Sequence, residues 1–346
     1  MSLATQPTNL SDAGRTAGEA EATQGVFQLP NRLPLHHGGS LDQPALAWRL
    51  AGACAAPVVL ALGGISAHRR VFDPEQPRTG WWHEIVGPGQ VLDSTRVRVL
   101  GIDYLGGSGE STGPTAGGVF PSLSSYDQAE ALRRLLDHLH ITRLRAIAGA
   151  SYGGMVALAF AERYPERVER LLVISAADRS HPMATAWRCV QRRVVRFALA
   201  SGQAAGGLEL ARALAMATYR SPQEFAERFA APPRQSDGRF LFPVEDYLFS
   251  RGKDYAAQYR PESFLCLSES IDLHAVQAAS VRTPTAVVAV REDQLVPIAD
   301  MRSLAQRLPH ARLHELSSVY GHDAFLKEAG ALRPVFKALH GDHCSD

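Results

Sequence analysis

Apolar positions along the chain follow two different periods, which together outline its secondary structure. Short continuous apolar runs predict buried β-strands, whereas apolar positions that recur every three or four residues predict helices. The predicted strands are residues 46–50, 57–62, 97–102, 146–148, 171–175, 285–290 and 312–316. The predicted helices are residues 124–140, 154–163, 298–308 and 324–339. Strands that alternate with helices indicate an α/β fold with a mostly parallel sheet that helices flank on both faces.

The middle of the chain departs from this alternation. Between residues 180 and 267 no run predicts a strand, and the helical stretches are rich in Ala, Arg and aromatic residues. A helical block within an α/β chain is typical of a lid above the carboxyl edge of the sheet, where ligands bind. We therefore expect a core of residues 26–179 and 268–346, with the lid at 180–267. Residues 1–25 lack periodicity and predict a flexible leader.

The stretch Gly149-Ala150-Ser151-Tyr152-Gly153 reads G-x-S-x-G and lies between a predicted strand and a predicted helix. A serine on such a tight turn presents its hydroxyl to the open side, and small neighbours allow the turn. The amino end of the following helix stabilises a developing negative charge. This context predicts that Ser151 is a catalytic nucleophile.

A serine nucleophile needs a base to take its proton and an acid to orient that base. In hydrolases with this type of turn the chain order is serine, acid, histidine. Asp293 follows one late predicted strand, and His322 lies in the loop after the next. We therefore predict that Asp293 orients His322 as the base for Ser151, with Glu292 as the alternative acid.

An acyl-transfer site also needs amide donors for the negative charge that develops on the carbonyl oxygen. One should be the amide of Tyr152, directly after the nucleophile, and the other should come from the loop after an early strand. Leu62-Gly63-Gly64 occupies that place. We expect the second donor to be the amide of Leu62 or of Gly63, although the same glycine pair is also typical of a tight strand exit.

Charge and composition argue against several kinds of binding partner and site. The formal net charge of +1 gives no long-range field that favours nucleic acid or a membrane surface. Cys54, Cys189, Cys266 and Cys344 form no CxxC pair, and no two histidines have a metal-ligand spacing such as H-E-x-x-H. No apolar run is long enough to cross a membrane, and no signal peptide is recognisable. We expect a soluble cytoplasmic protein without a metal or a bound cofactor.

Several segments outside the predicted triad carry a more specific resemblance. They are Trp81-Trp82, Tyr104-Leu105-Gly106-Gly107-Ser108, Ser111-Thr112-Gly113-Pro114, residues 217–225, 244–248 and 270–274, and Gly321-His322-Asp323-Ala324-Phe325-Leu326. With this combination, over most of residues 30–340, the chain resembles the homoserine O-acyltransferase family of the α/β-hydrolase fold. The resemblance implies a ping-pong reaction of methionine biosynthesis, in which acyl-CoA acylates Ser151 and the acyl group passes to the hydroxyl of L-homoserine. It also implies a homodimer built through lid helices.

The resemblance assigns an amino-acid pocket as well. The family uses an arginine for the carboxylate, a later tyrosine, and the aspartate after the catalytic histidine for the ammonium group. Arg212 and Tyr219 have the family's spacing, and Asp323 follows His322. Guanidinium groups pair with carboxylates through two parallel hydrogen bonds, which suits this assignment. The alternative is that Arg212 is one more exposed lid arginine, because others precede it: Arg188, Arg192, Arg193 and Arg196.

Two segments depart from the family's pattern. Tyr152 stands where the family usually has methionine, and we expect its side chain to alter the acyl pocket. The loop after the early strand usually reads Gly-Asp-Ser-His, whereas here it runs from Gly64 through Arg69 and Arg70. These arginines either pair with the free carboxylate of a succinyl group, or face solvent or the CoA phosphates. On this basis we favour succinyl-CoA over acetyl-CoA as the donor.

Other functions share the same triad. An L-serine O-acyltransferase handles an acceptor shorter by one methylene, a difference that a pocket can discriminate by only about 1–3 kcal/mol. An esterase or thioesterase would have no reason to assemble Arg212, Tyr219 and Asp323. A non-catalytic protein of this fold is expected to have lost a triad residue, and none is lost.

Overall fold

The computed structural model describes residues 20–76, 78–337 and 339. The strands in chain order are β1 (Ala20–Gln28), β2 (Arg32–Pro34), β3 (Ser40–Asp42), β4 (Ala45–Ala53), β5 (Val58–Leu62), β6 (Val86–Gly87), β7 (Leu92–Asp93), β8 (Arg98–Ile102), β9 (Ala146–Ala150), β10 (Leu171–Ile174), β11 (Arg234–Ser236), β12 (Arg239–Leu241), β13 (Thr285–Val290) and β14 (Ala311–Leu316). The helices are α1 (Ser125–His138), α2 (Tyr152–Arg163), α3 (Pro182–Ala200), α4 (Ala204–Tyr219), α5 (Pro222–Arg228), α6 (Pro243–Ala256), α7 (Pro261–Asp272), α8 (Ile298–Arg307), α9 (Ala324–Lys327) and α10 (Ala329–Lys337). Strands and helices therefore alternate through the core, with one long helical interruption between β10 and β13.

Within the described residues, eight strands form one sheet in the order β1-β4-β8-β5-β9-β10-β13-β14. The neighbours from β8 to β14 all run parallel. At the other edge, β4 pairs antiparallel with β8, and β1 pairs antiparallel with β4. Each core strand that the sequence predicts is present, with bounds that differ by a few residues. The prediction of a mostly parallel α/β sheet flanked by helices is confirmed.

Apolar side chains fill both faces of this sheet. β9 is buried at every position and β5 at all but its first, as expected for strands covered by helices on both sides. Residues of α1, α2 and α8 belong to the apolar core on one face, and residues of α9 and α10 to the core on the other. This packing sets the carboxyl ends of the parallel strands in one row, and the loops that follow them carry the candidate site.

Between β10 and β13 the chain leaves the sheet. The helices α3 to α7 occupy this segment, and α4 packs against α3, α6 and α7. A hairpin of β11 and β12 interrupts them, although the sequence predicts no strand here. Each strand of the hairpin is only three residues long, too short for a recognisable apolar period. In addition, α7 continues to Asp272, beyond the predicted end of the helical block at residue 267.

The predicted flexible leader is wrong over its last residues. Residues 20–25 belong to β1, which pairs with β4 from Ala20 opposite Ala53 to Gln28 opposite Ala45. Most described side chains of this edge strand are exposed, so few apolar residues mark it in the sequence. The remainder of the predicted leader, residues 1–19, lies outside the described residues.

The predicted last helix at 324–339 is two helices instead of one. α9 ends at Lys327, and Glu328 has a non-helical φ of −96° and ψ of 50° before α10 begins. The carboxylate of Glu328 accepts a hydrogen bond of 2.6 Å from the hydroxyl of Ser318. This bond connects the end of α9 to the loop after β14, which carries the predicted base.

Candidate active site

Ser151 lies at the sharp turn between β9 and α2. Its backbone has φ 54° and ψ −125°, which is a strained conformation for a residue with a side chain. The flanking glycines make room for the turn. A Cβ on Gly149 would lie 2.3 Å from the carbonyl oxygen of Gly153, and a Cβ on Gly153 would lie 2.4 Å from the carbonyl group of Leu62. This close packing holds the Ser151 hydroxyl at the carboxyl edge of the sheet.

The three residues of the predicted triad meet at this edge. His322 Nε2 lies 2.8 Å from Ser151 Oγ, and His322 Nδ1 lies 2.7 Å from Asp293 Oδ2. The other oxygen of Asp293 accepts the backbone amides of Leu295 and Val296 at 2.8 and 3.0 Å. One carboxylate oxygen therefore fixes the loop after β13 while the other orients the imidazole. This arrangement leaves Nε2 in place to take the serine proton.

Burial of His322 opposes a positive charge on its ring. The Asp293 carboxylate acts in the other direction through its charge and its hydrogen bond, and the net effect raises the pKa of His322 above its ordinary value. A raised pKa strengthens the imidazole as a base for Ser151. The same carboxylate stabilises the imidazolium ion that forms when the proton is taken.

Glu292, the alternative acid, has a different role in the structure. Its carboxylate accepts hydrogen bonds from the hydroxyl of Ser317 at 2.5 Å and from the amide of Ser318 at 2.8 Å. It therefore connects the loop after β13 to the loop after β14. Of the two neighbouring carboxylates, Asp293 is the one that contacts the imidazole.

The helical block contacts the triad through the carboxyl end of α4. Gly321, directly before His322, has φ 54°, and a Cβ there would lie 2.8 Å from the carbonyl oxygen of Tyr219. Glycine meets both demands, the left-handed backbone and the close approach. The carbonyl oxygen of Arg220 accepts a hydrogen bond of 2.8 Å from Gln294 Nε2, next to the acid. The end of α4 is therefore packed on both the acid loop and the base loop.

The loop after β5 is held against the turn that carries the nucleophile. The carbonyl oxygen of Gly63 accepts hydrogen bonds from the amide of Gly153 at 2.9 Å and from the hydroxyl of Tyr104 at 2.8 Å. Leu62 and Gly63 therefore lie beside the turn, and Tyr152 occupies the first position of α2. These are the positions from which backbone amides can converge on a developing oxyanion.

The side chain of Tyr152 points into the core. It is only 1% exposed, its hydroxyl lies 2.6 Å from that of Ser270, and its ring meets that of Tyr104 edge-on at 5.0 Å. Tyr152 is not among the described residues that line the cavity above Ser151. The expectation that this side chain alters the acyl pocket is therefore wrong, because its hydroxyl finds a buried partner beneath the site.

A cavity of about 210 Å³ lies above Ser151, between the sheet and the helical block. Arg212, Tyr219 and Asp323, the predicted amino-acid ligands, all line it together with Ser151 and His322. Arg212 Nη1 lies 3.4 Å from the Tyr219 hydroxyl. Among the described residues no carboxylate lies within ion-pair distance of Arg212, so its guanidinium is available to a ligand. The alternative of an exposed surface arginine does not fit this position.

Asp323 has a cation beside it. Arg220 Nε lies 3.1 Å from Asp323 Oδ2, although the two atoms are not in hydrogen-bonding geometry. Burial raises the pKa of Asp323, while the charges of Arg220, His322 and Arg212 act in the opposite direction without reversing the shift. The predicted ammonium ligand is therefore a carboxylate on the cavity wall with cations around it.

Arg69 and Arg70 lie away from this cavity. The guanidinium of Arg69 pairs with Asp103 and Glu110, and its backbone amide donates to Asp103 at 2.8 Å. The side chain of Arg70 is about half exposed and lies 3.9 Å from Asp73. Both arginines line a neighbouring cleft, so neither is placed to pair with an acyl carboxylate at Ser151. The acidic partners of Arg69 come from a distant segment, which the sequence alone does not reveal.

Sequence reasoning missed a buried cation on α3. Arg188, which the sequence groups with the exposed arginines, lines the cavity, and Arg192 lies behind it with a side chain only 9% exposed. Their shared partner is Asp272, at the end of α7. The only signal in the sequence is the helical spacing of the two arginines, four positions apart, and it does not indicate which face is buried.

Two kinds of site are not found in the described part of the chain. No group of three or more His, Cys, Asp and Glu side chains there is arranged to hold a metal ion. None of the described helices combines the length and the apolar character needed to cross a membrane.

The sequence of this chain is similar to known proteins over both the sheet and the site. Residues 57–329 match the family model described as alpha/beta hydrolase fold. The chain is 43% identical to homoserine O-succinyltransferase of Xanthomonas campestris pv. campestris, over 95% of this chain and 88% of that protein. It is 36% identical to homoserine O-acetyltransferase of Thermus thermophilus, over 76% and 72%. It is 32% identical to serine O-succinyltransferase of Litchfieldella anticariensis, over 89% and 96%.

Solved structures resemble the fold over nearly the whole chain. Esterase E22 superposes with a TM-score of 0.83 at 20% identity, over 92% of this chain and all of that one. Homoserine O-acetyltransferase from Bacillus anthracis superposes with a TM-score of 0.81 at 17% identity, over 93% and 97%. At these identities the likeness shows the fold alone, whereas the sequence relatives show the family. The chain belongs to the homoserine O-acyltransferase family of the α/β-hydrolase fold.

Proposed function

We propose that this protein transfers an acyl group from acyl-CoA to the side-chain hydroxyl of L-homoserine, a reaction of methionine biosynthesis. One observation carries the proposal: a single cavity is lined by the nucleophile and base, Ser151 and His322, and by two ion-pairing groups, Arg212 and Asp323. A hydrolase needs only the first pair, because its acceptor is water. The second pair fits an acceptor that is itself an amino acid.

In the first half-reaction Ser151 Oγ attacks the thioester carbonyl carbon while His322 Nε2 takes its proton. The amide of Tyr152 and that of Leu62 or Gly63 donate to the oxyanion. The tetrahedral intermediate then expels the CoA thiolate, which receives the proton from His322. The product is an ester of Ser151, and free CoA leaves before the acceptor reacts, which makes the reaction ping-pong.

In the second half-reaction the hydroxyl of homoserine occupies the place that the CoA sulfur has left. His322 takes the hydroxyl proton as the oxygen attacks the Ser151 ester, and the serine oxygen leaves with that proton. Asp293 stabilises the imidazolium in both halves. The same three residues therefore serve donor and acceptor in turn, and each half-reaction restores the proton balance.

The acceptor is held by its charged groups. Arg212 pairs with the carboxylate, because its guanidinium lines the cavity between the rings of Tyr219 and Tyr255 and has no carboxylate partner among the described residues. Asp323 pairs with the ammonium group and lies one residue from the base. These two contacts set the side-chain hydroxyl toward His322, and the helical block that carries Arg212 acts as the lid over the site.

Succinyl-CoA is the donor that we favour over acetyl-CoA. The relative with 43% identity is a homoserine O-succinyltransferase, while a more distant one is a homoserine O-acetyltransferase. The arginines on the cavity wall also suit an acyl group with a free carboxylate. Arg69 is paired with Asp103 and Glu110 outside the cavity. A contact with the succinyl carboxylate must therefore come from other arginines.

L-Serine is the second candidate acceptor, because a relative at 32% identity is a serine O-succinyltransferase. Serine carries the same carboxylate and ammonium groups as homoserine and differs by one methylene. A pocket distinguishes such a difference by about 1–3 kcal/mol, or about 10- to 200-fold in rate. The rates of transfer to L-homoserine and to L-serine therefore decide between the two acceptors.

The experiment measures CoA release with acetyl-CoA and with succinyl-CoA, each with L-homoserine, with L-serine and with no amino acid. We expect release to depend on an amino acid, to be fastest with succinyl-CoA and L-homoserine, and to yield O-succinylhomoserine by mass spectrometry. Equal release without an amino acid would indicate a thioesterase and contradict the proposal. Faster transfer to serine would reassign the acceptor and leave the triad chemistry in place.

We also expect a homodimer in the cytoplasm. α3 presents Met183, Val190 and Phe197 at intervals of seven residues, and their exposed fractions are 52%, 54% and 74%. Residues at this spacing lie close together on one face of a helix, and exposed apolar side chains in such a row are typical of a subunit contact. This row supports the proposal that the helical lids of two copies pack together.

A further inference from the structure

The guanidinium of Arg220 lies beside Asp323, the carboxylate that we assign to the ammonium group of the acceptor. Arg220 Nε lies 3.1 Å from Asp323 Oδ2, and the two side chains are only 12% and 13% exposed. Asp323 lines the cavity above Ser151, whereas Arg220 is not among the described residues that line it. Arg220 therefore reaches the proposed acceptor site only through Asp323.

The backbone of Arg220 is fixed where the helical block meets the loops that carry the acid and the base. Its carbonyl oxygen accepts a hydrogen bond of 2.8 Å from Nε2 of Gln294, in the acid loop. The amide of the next residue, Ser221, donates to the carbonyl oxygen of Val319 in the base loop at 3.2 Å. These two bonds fix the point from which the Arg220 side chain reaches Asp323.

The far end of the Arg220 side chain is held as well. Its Nη1 lies 3.3 Å from both carboxylate oxygens of Glu224, in the first turn of α5. Its guanidinium carbon lies 5.3 Å from the centre of the Tyr320 ring. Nε, in contrast, is enclosed and has no hydrogen-bond partner among the described residues. Two carboxylates therefore flank one guanidinium, Glu224 at one end and Asp323 at the other.

An aspartate as enclosed as Asp323 needs a nearby positive charge to stay ionised. Burial raises the pKa of Asp323, and among the surrounding charges that of Arg220 opposes the shift most strongly. His322 and Arg212 act in the same direction as Arg220, while Asp293 adds to the shift. In the reaction, His322 must be neutral to act as the base, and the acceptor's carboxylate matches the charge of Arg212. Arg220 is therefore the positive charge on which Asp323 depends while the acceptor binds.

We propose that Arg220 is a positioning residue of the acceptor site, which keeps the Asp323 carboxylate charged and in place on the cavity wall to pair with the ammonium group of an amino acid. The inference rests on the proposed acyltransferase function and extends it to a residue outside the cavity. Arg220 contacts no substrate and takes no part in proton transfer. Without Arg220, Asp323 binds a proton at higher pH, and the neutral carboxyl group no longer forms an ion pair with the ammonium group.

The test compares Arg220→Gln and Arg220→Lys with the wild type, and Arg228→Gln is the matched control. Arg228 shares Glu224 with Arg220 at 3.3 Å, but its side chain is 43% exposed and it lies outside the cavity lining. In Arg220→Gln the Glu224 carboxylate keeps Arg228 as a partner, so it is not left unpaired. The thermal unfolding of each variant is measured first.

Two values of kcat/KM are then measured against pH, one for homoserine and one for the acyl-CoA that the wild type uses faster. His322 moves a proton in both half-reactions, whereas Asp323 serves only the acceptor, so the ratio of the two values removes the titration of His322.

In Arg220→Gln the KM for homoserine should rise about 10- to 100-fold at about pH 6, as expected for one lost charge-assisted pair. The KM should recover as the pH rises, because deprotonation restores the Asp323 carboxylate. Arg220→Lys keeps a positive charge and should retain most of the affinity for homoserine, and it decides the question if the glutamine variant does not fold. Arg228→Gln should match the wild type with both substrates.

Asp323→Asn provides a second measurement, which a purely structural role of Arg220 would not change. Asparagine does not titrate in this range, so Asp323→Asn should raise the KM for homoserine at every pH. If Arg220 acts through Asp323, adding Arg220→Gln to this variant should raise the KM no further.

Three results would overturn the proposal. They are a KM for homoserine that is unchanged in Arg220→Gln, a KM that rises by the same factor at every pH, and an Arg220→Gln effect of equal size with and without Asp323→Asn.

A wild type that acylates no amino acid would contradict the proposed function instead. The pKa of Asp323 is then measured without substrate by carbon-13 NMR of aspartate-labelled protein, with Asp323→Asn to assign the signal. Arg220→Gln should raise this pKa and Arg228→Gln should not. An equal pKa in Arg220→Gln and the wild type would overturn the role of Arg220, so the two failures are distinguishable.

Discussion

The hydroxyl of Tyr104 donates a hydrogen bond of 2.8 Å to the carbonyl oxygen of Gly63, which also accepts the amide of Gly153 at 2.9 Å. The ring of Tyr104 meets that of Tyr152 edge-on at 5.0 Å. The two segments proposed to supply oxyanion donors are therefore joined by one carbonyl group and one aromatic pair. Oxyanion stabilisation depends on donors that are in place before the reaction begins. Tyr104 is thus a positioning residue beneath the site.

Tyr104→Phe should lower kcat about 3- to 10-fold, the effect of roughly 1 kcal/mol from one lost hydrogen bond, with both KM values unchanged. The control is Tyr152→Phe, which removes the contact with Ser270 and keeps the ring beside Tyr104. Steady-state kinetics with both substrates varied separates the two. Equal losses of kcat in the two variants would argue for a general effect of core hydroxyls instead of a role for the Gly63 carbonyl.

The pH dependence of activity should report the Asp293–His322 pair. His322 acts as a base only when neutral, and its pKa is raised, so activity should fall as the pH falls through a value above the ordinary histidine pKa. Asp293→Asn removes the carboxylate that raises this pKa. It should therefore lower kcat about 10³- to 10⁴-fold and move the acid limb of the residual activity to lower pH.

Glu292→Gln is the control for this pH experiment. Its carboxylate bonds to Ser317 and Ser318 and does not contact the imidazole, so the acid limb should stay where it is in the wild type. A profile of kcat/KM against pH measures both variants. A shift of the limb in Glu292→Gln, with none in Asp293→Asn, would reverse the assignment of the acid.

Much of this architecture was predictable because its signals are local in sequence. The parallel strands are continuous apolar runs, and the turn at Ser151 needs small residues at fixed offsets from the serine. Since parallel strands end at one edge of the sheet, an acid and a histidine that follow two late strands are expected near the serine. These local signals predict that Ser151, Asp293 and His322 lie together.

The parts that sequence did not predict depend on contacts between distant segments. β1 is a mostly exposed edge strand, whose pairing with β4 is set by the backbone and hardly by apolar residues. Arg69 finds Asp103 and Arg188 finds Asp272 only after folding, so the sequence leaves open which arginine faces the cavity. The same reason applies to Tyr152, whose buried partner Ser270 lies in α7, far away in the sequence.

His274 should make the folded protein sensitive to mild acid. Burial lowers the pKa of His274 to about 4, from an ordinary value of 6.5, and its Nδ1 lies 2.7 Å from the hydroxyl of Ser125. Between pH 4 and pH 6.5 the imidazole of His274 is protonated in the unfolded chain and neutral in the folded chain. The free energy of unfolding therefore falls as the pH falls through this range. Between pH 7 and pH 5 the free energy of unfolding should fall by about 2 kcal/mol more in the wild type than in His274→Gln, as measured by urea unfolding. Equal losses would show that other groups control the acid response.

The exposed apolar row on α3 should control the oligomeric state. Phe197→Glu places a charge at the most exposed of its three positions and should convert a dimer to a monomer, because burying an unpaired carboxylate in an apolar contact is costly. Val119→Glu is the control, since Val119 is fully exposed and lies outside the helical block. Light scattering after gel filtration gives the mass of each. A wild type that is already monomeric, or a dimer that persists in Phe197→Glu, would exclude this face as the contact.

Arg212 should serve the acceptor step and leave the donor step unchanged. Arg212→Lys keeps a positive charge but loses the planar fork, so the KM for homoserine should rise about 10- to 100-fold while acyl-enzyme formation without an acceptor keeps its rate. The acyl-enzyme is followed by mass spectrometry after rapid quenching, and the acceptor step by CoA release at varied homoserine concentration. Arg196→Lys, an exposed position of α3, is the control and should change neither. If Arg212→Lys slowed acylation by succinyl-CoA and left the KM for homoserine unchanged, Arg212 would bind the donor and not the acceptor.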